Sequence, residues 1–119
     1  MKDFKKLKVW QKGIDLVVDI YKTSKSFPKE ELYGLTSQIR RCAISVPSNI
    51  AEGSGRNSDK DFHRFLDISL GSSFELETQL IIANKLEYLS ENEFDELTKK
   101  IQEEQKMITG LQKSINISK

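Results

Sequence analysis

Arginines and lysines are the residues of this chain best placed to do chemistry, and that chemistry is the neutralisation of phosphate. Lys2, Lys5, Lys6, Lys8 and Lys12 crowd the start of the chain and interleave with Phe4 and Trp10. Ammonium groups among aromatic rings suit a surface that meets a nucleic-acid backbone while bases stack. The competing reading puts Trp10 in a core, because it leads an apolar stripe, and leaves the lysines in solvent. A second group, Arg56, Lys60, His63 and Arg64, surrounds the expected start of a helix. Free backbone N–H groups there add to the attraction for an anion. Asp59 and Asp61 lie within the group and partly neutralise it, which favours a plain solvated face.

Arg40 and Arg41 are adjacent. Successive helix residues point about 100° apart, so only one of them can share a seam with a neighbouring helix. Arg40 is read as a phosphate-contacting guanidinium. Arg41 falls in line with Gln38, Ser45, Ser48 and Glu52 in a polar row. Its expected partner is Glu75 or Glu77, since a partly buried guanidinium needs a carboxylate; contact with phosphate is its alternative. Asn49 is expected to satisfy a carbonyl freed by Pro47. The predicted structural polar network is therefore Gln38, Arg41, Ser45, Asn49, Glu52 and Glu75.

Catalytic constellations are missing from the sequence. It has no phosphate-cradling glycine loop. The only histidine, His63, and the only cysteine, Cys42, fall on different helices, so neither a nucleophile pair nor a metal site is expected. Asp59 and Asp61 diverge on their helix, as do Glu75 and Glu77. The expectation is a protein that is not an enzyme and takes no cofactor or metal. Cys42 lies in an apolar pattern and reads as an inert buried thiol. The net charge of +1 names no partner, but its distribution is uneven: residues 1–30 carry +4 and residues 65–98 carry −7. Either charges pair across helices or the molecule has a basic and an acidic end. The first residues lack the apolar core of a secretory signal, and no apolar run approaches the roughly 20 residues of a membrane span. A cytoplasmic location is expected, which deprives the Asn116–Ser118 glycosylation triplet of meaning.

Helices must position all these groups. Leu7, Trp10, Ile14, Val17, Val18 and Tyr21 recur at steps of three and four, predicting a helix over about 6–24. Leu35, Ile39, Cys42, Val46 and Ile50 predict a second over about 33–52, one kinked helix running through Pro47. Gly53 is expected to end it in a left-handed conformation. Ser58 should cap a third, over 59–88, with stripe Phe62, Phe65, Leu66, Ser69, Ser73, Leu76, Leu80 and Ala83. Gly71-Ser72-Ser73 in its middle predicts close approach of the Pro47 segment. Ser90 and Glu93 form a capping box for a fourth, over 91–115. Glu104 interrupts its stripe of Phe94, Leu97, Ile101, Ile108, Leu111 and Ile115, predicting an outward lean or a subunit contact there. Short linkers predict a single all-α domain over 1–119, an antiparallel up-down-up-down four-helix bundle.

With these elements in place the chain resembles the family of four-helix bacterial proteins encoded by intervening sequences within 23S ribosomal RNA genes. The resemblance rests on Leu7-Lys8-Val9-Trp10-Gln11, on Phe27-Pro28 with Tyr33-Gly34-Leu35, and on Gln38-Ile39-Arg40-Arg41 leading to Ser45 through Gly53. Phe62 with Phe65-Leu66, and Gly71-Ser72 with Glu75 through Leu80, complete it. Cys42 stands where the family usually has alanine. The chain is also similar to the accessory protein of diversity-generating retroelements. That similarity implies a ring-shaped homo-oligomer, a homopentamer, contact with RNA or DNA, and a protein partner such as a reverse transcriptase. Two functions follow as expectations. The first is a non-enzymatic oligomer that binds structured RNA or DNA through Lys5, Lys6, Lys8, Lys12, Arg40, Arg56, Lys60 and Arg64. The alternative is a self-assembling adaptor or scaffold with no affinity for nucleic acid.

Overall fold

The computed structural model of the protein describes residues 3–115; Lys2 and the Asn116–Ser118 triplet lie outside them. Among the described residues all regular structure is helical: α1 Lys8–Ser24, α2 Leu35–Ser54, α3 Asp59–Lys85 and α4 Glu91–Ser114, with short 3-10 turns at Phe4–Lys6 and Lys29–Glu31. α1 packs on α2, α2 on α3, α3 on α4, and α4 returns to α1. α1 and α3 therefore lie diagonally across the bundle. At about 1.5 Å per residue α3 is roughly 40 Å long, most of the 47 Å long axis of the molecule.

The helix starts follow the sequence. Ser58 Oγ accepts the Asp61 N–H at 3.1 Å. Ser90 and Glu93 close their capping box, with both bonds made. The stops differ. α3 ends at Lys85 rather than near Tyr88, because Glu87 takes a left-handed φ of 62°. The Tyr88 N–H then reaches back to the Ala83 carbonyl and the Glu87 N–H to Asn84, a Schellman closure. Tyr88 is freed to donate its hydroxyl to Glu31 Oε2 at 2.9 Å, a bond that raises its pKa. At the other helix end, Gly53 does not stop α2, which continues to Ser54. No glycine has a positive φ. What Gly53 supplies is space: a Cβ there would sit 2.6 Å from the Phe65 Cβ and 3.0 Å from the Phe62 ring.

The core has two apolar clusters. One gathers Val9, Val46, Ile50, Phe62, Leu66 and Ile108; the other gathers Leu16, Ile20, Ile39, Leu76, Leu80, Leu97 and Ile101 with their neighbours. On α1 the buried residues are Val9, Gly13, Leu16, Ile20 and Ser24. The expected stripe there is displaced: Ile14, Val18 and Tyr21 are exposed. α1 carries apolar side chains on two arcs, and the period alone does not say which arc meets the core. Between the clusters lies a layer of small and polar residues, Gly13, Pro47, Ser69, Ser73 and Glu104. Pro47 meets Gly13, whose added Cβ would lie 3.2 Å from the Pro47 Cβ. The expected role of Gly71 fails, since nothing stands within 4 Å of a Cβ there. Glu104 does not lean outward. It is 1% exposed.

Candidate nucleic-acid interface

The start of α1, the end of α2 and the start of α3 share one apolar cluster, so they lie at one end of the bundle. Lys5, Lys6 and Lys8 therefore come to the same end as Arg56, Lys60 and Arg64. Asp3 fixes the first of these by accepting the Lys5 N–H at 3.1 Å. The Lys5 ammonium lies 6.0 Å from the Phe4 ring centre, and Phe4 meets Trp10 edge-on at 5.1 Å. Trp10 is half-buried against the cluster, so its ring serves packing first. Arg56 pairs with Glu52 at 2.8 Å. Arg64 stands 3.7 Å from Asp61. Both guanidiniums lie 4.6 Å from the Phe65 ring centre, so this one ring orders two arginines. Lys60 is exposed and forms no ion pair among the described residues.

Two candidates are placed elsewhere. Arg40 sits on the last turn of α1, donating to Ser24 Oγ at 2.8 Å and toward the Tyr21 carbonyl at 3.4 Å, with its guanidinium 4.7 Å from the Tyr21 ring centre. Lys12 lies 3.7 Å from Glu103 of α4. A further α1–α4 pair joins Lys100 to Asp19, so part of the uneven charge is paired across helices. His63 stands 3.8 Å from Asp67.

The expected polar network separates into parts. Asn49 donates to the Ser45 carbonyl at 2.8 Å and to Ser45 Oγ at 2.9 Å. The carbonyl it serves is that of Ser45, not the one Pro47 leaves open on Ala43. Ser45 Oγ in turn meets Ser72 Oγ of α3 at 2.8 Å. Glu52 is spent on Arg56. Gln38, Arg41 and Glu75 face an open cleft of about 300 Å³ between α2 and α3. Arg41 finds neither expected partner: no ion pair joins it to Glu75 among the described residues, and Glu77 is held by Gln102 at 3.1 Å and Gln105 at 2.8 Å of α4. At the cleft floor the Cys42 thiol donates to the Ser72 carbonyl at 3.1 Å. Burial and the nearby Glu75 carboxylate push this thiol up to about 12, so it is no nucleophile at neutral pH.

Two exposed apolar faces escaped the sequence reading. One is a groove between α1 and α2, formed by Trp10, Ile14, Val17, Ile44, Pro47 and Ala51, with exposed Val18 and Tyr21 beyond it. The other is the outer side of α3, where Ile68, Phe74, Ile81, Ile82 and Leu86 are all exposed, Phe74 by 52%. Their signal was the number of large apolar residues off the core stripe.

The model of the 23S rRNA-intervening sequence protein family matches residues 5–110. The chain belongs to that family. A 1.70 Å crystal structure of a protein with unknown function from the S23 ribosomal protein family, from Bacteroides thetaiotaomicron VPI-5482, has the same fold at a TM-score of 0.82. It is 25% identical, and the match covers 88% of this chain and 95% of that one. No curated protein matches the sequence. Like the family model, the fold shared with that relative takes in all four helices. No helix of the described residues is long and apolar enough to cross a membrane, and no three of their His, Cys, Asp and Glu side chains gather as a metal site.

Proposed function

We propose that this family member is a non-enzymatic subunit that assembles with copies of itself and offers a basic end to structured RNA or DNA. The observation that carries the assembly is the pair of exposed apolar faces, one in the α1–α2 groove and one on the outer side of α3. Isolated exposed apolar residues are ordinary, but contiguous ones mark interaction surfaces. A single face would serve a two-fold dimer. Two different faces suit head-to-tail contact, which closes into a ring when the rotation per subunit allows. The five-membered ring implied by the retroelement resemblance is one such closure.

Sedimentation equilibrium tests the assembly. A discrete multimer is expected, with Phe74→Glu and Ile14→Glu each reducing it to single chains; a wild-type mass of one chain defeats the reading. In a mobility-shift titration at low salt, RNA or DNA is expected to be retained with little sequence dependence overall. Replacing Lys5, Lys6, Lys8 and Lys60 by alanine is then expected to flatten the salt dependence. The adaptor reading keeps the assembly and drops the nucleic acid. It is favoured by the carboxylates that already hold Lys12, Arg56 and Arg64, and absence of any mobility shift selects it.

A further inference from the structure

The α2–α3 cleft holds polar groups that the fold does not use. Arg41 and Glu75 are exposed at its walls and form no ion pair among the described residues, although the Glu75 carboxylate stands beside the Cys42 thiol. Gln79 lines the same cleft, and its Oε1 is buried without a partner. A buried amide oxygen left unbonded costs about 1–3 kcal/mol, so a ligand that donates to it is favoured. Gln38 brings a further amide to the rim. The floor is already satisfied: Ser45 bonds Ser72, and Cys42 bonds the Ser72 carbonyl. What stays open is one guanidinium fork, one carboxylate and one amide oxygen, in a space of about 300 Å³, the lower end of ligand-sized pockets.

We propose that this cleft takes an unpaired guanine base. Guanine carries two adjacent acceptors, O6 and N7, which match the arginine fork. Its other edge carries two adjacent donors, N1–H and the N2 amine, which match a carboxylate. The second N2 hydrogen is left for Gln79 Oε1. The base is neutral, as is the sum of Arg41 and Glu75. Adenine sets a lone pair at N1 against the carboxylate, and pyrimidines lack the O6/N7 pair. The proposal rests on the nucleic-acid reading and deepens it. Arg64 precedes Glu75 by eleven residues on α3, roughly 16 Å along the helix. A strand whose phosphates meet the basic end therefore runs within reach of the cleft. Sequence-specific RNA recognition commonly works this way, on bases splayed out of a single strand.

The test is fluorescence anisotropy on the assembled wild-type protein with three single-stranded RNAs, oligoadenylates that differ at one central position. Guanosine there is expected to bind about 10-fold tighter than inosine, which lacks only the N2 amine, or adenosine. Glu75→Gln and Arg41→Lys are expected to abolish that preference and to leave the all-adenosine strand bound within about twofold. Equal affinity for the three strands, or a preference that survives Glu75→Gln, overturns the guanine site while the nucleic-acid reading stands. If none of the strands binds, that reading falls, and calorimetric titration with guanosine monophosphate decides the cleft alone. Binding lost in Glu75→Gln keeps the site as one for free guanine nucleotides. No heat, or displacement by an arginyl-glutamate dipeptide and not by the nucleotide, overturns it.

Discussion

The α2–α3 seam and the layer around Glu104 both place polar groups inside the bundle, and they treat them in opposite ways. Along the seam each buried hydroxyl or thiol of Ser69, Ser72 and Cys42 has a partner at 2.8–3.1 Å. Gly53 then lets α2 and α3 close to backbone contact. Around Glu104 neither carboxylate oxygen has a partner, although Gly13 comes so close that an added Cβ would stand 3.0 Å from Glu104 Oε2. Burial, helped by the charge of Glu103 and opposed by Lys12, pushes the Glu104 carboxyl up to about 8. The seam is held by neutral hydrogen bonds that no physiological pH disturbs. The layer depends on a proton.

That contrast predicts its largest effect at Glu104. The unfolded chain gives up this proton near the ordinary value of 4.5, while the fold keeps it to about pH 8. The fold thus binds the proton more tightly, and carries no ionisation penalty below pH 4.5. Stability is lost progressively as pH climbs from about 4.5 to about 8, by roughly 4–5 kcal/mol in all. Urea midpoints measured across that range are expected to fall for the wild type and to stay nearly level for Glu104→Gln. Parallel profiles for the two proteins break the comparison.

The next effect belongs to the seam. Gly53→Ala is expected to cost about 2 kcal/mol, because the Phe65 Cβ cannot move without its helix. Gly71→Ala, one helix away in open space, is expected to stabilise by about 0.5–1 kcal/mol through helix propensity. Thermal melts of the two variants sharpen the point, for they should shift in opposite directions. Smallest is the loss of single seam bonds. Ser69→Ala and Ser45→Ala are each expected to cost about 1 kcal/mol with no change between pH 5 and pH 8. A pH-dependent loss at either serine would mean that seam and layer are coupled.

The sequence showed the seam better than the layer. Apolar spacing and capping residues place α2 and α3 nearly to their ends, Ser45, Ser69 and Ser73 stand on or beside a stripe, and Asn49 is conspicuous for its amide close to Pro47. The two glycines that matter were not separable by type. Gly71 looks like a packing glycine and faces open space, whereas Gly53 looks like a helix stop and is a packing glycine. Which one a neighbour approaches depends on rotation about the helix axis, and local sequence does not encode that. Glu104 had the same ambiguity: a charged residue on an apolar stripe either turns away or is buried neutral, and only the tertiary surroundings decide. On α1 the two apolar arcs hid both the true core and the exposed face. Arg41 stands out by its chemistry, but of its two expected partners Glu77 is claimed by α4 and Glu75 forms no ion pair with it.

Cys42 gives the seam one more property. Alkylating and disulfide reagents attack the thiolate, and this thiol is both covered and held in its protonated form while α2 lies on α3. Modification must therefore wait for a local opening event. Since the chain has a single cysteine, the rate at which the whole protein gains one label is the rate or frequency of that opening, according to whether closing is slower or faster than reaction. The molecule carries its own clock for the parting of its two central helices, and no probe has to be built into it.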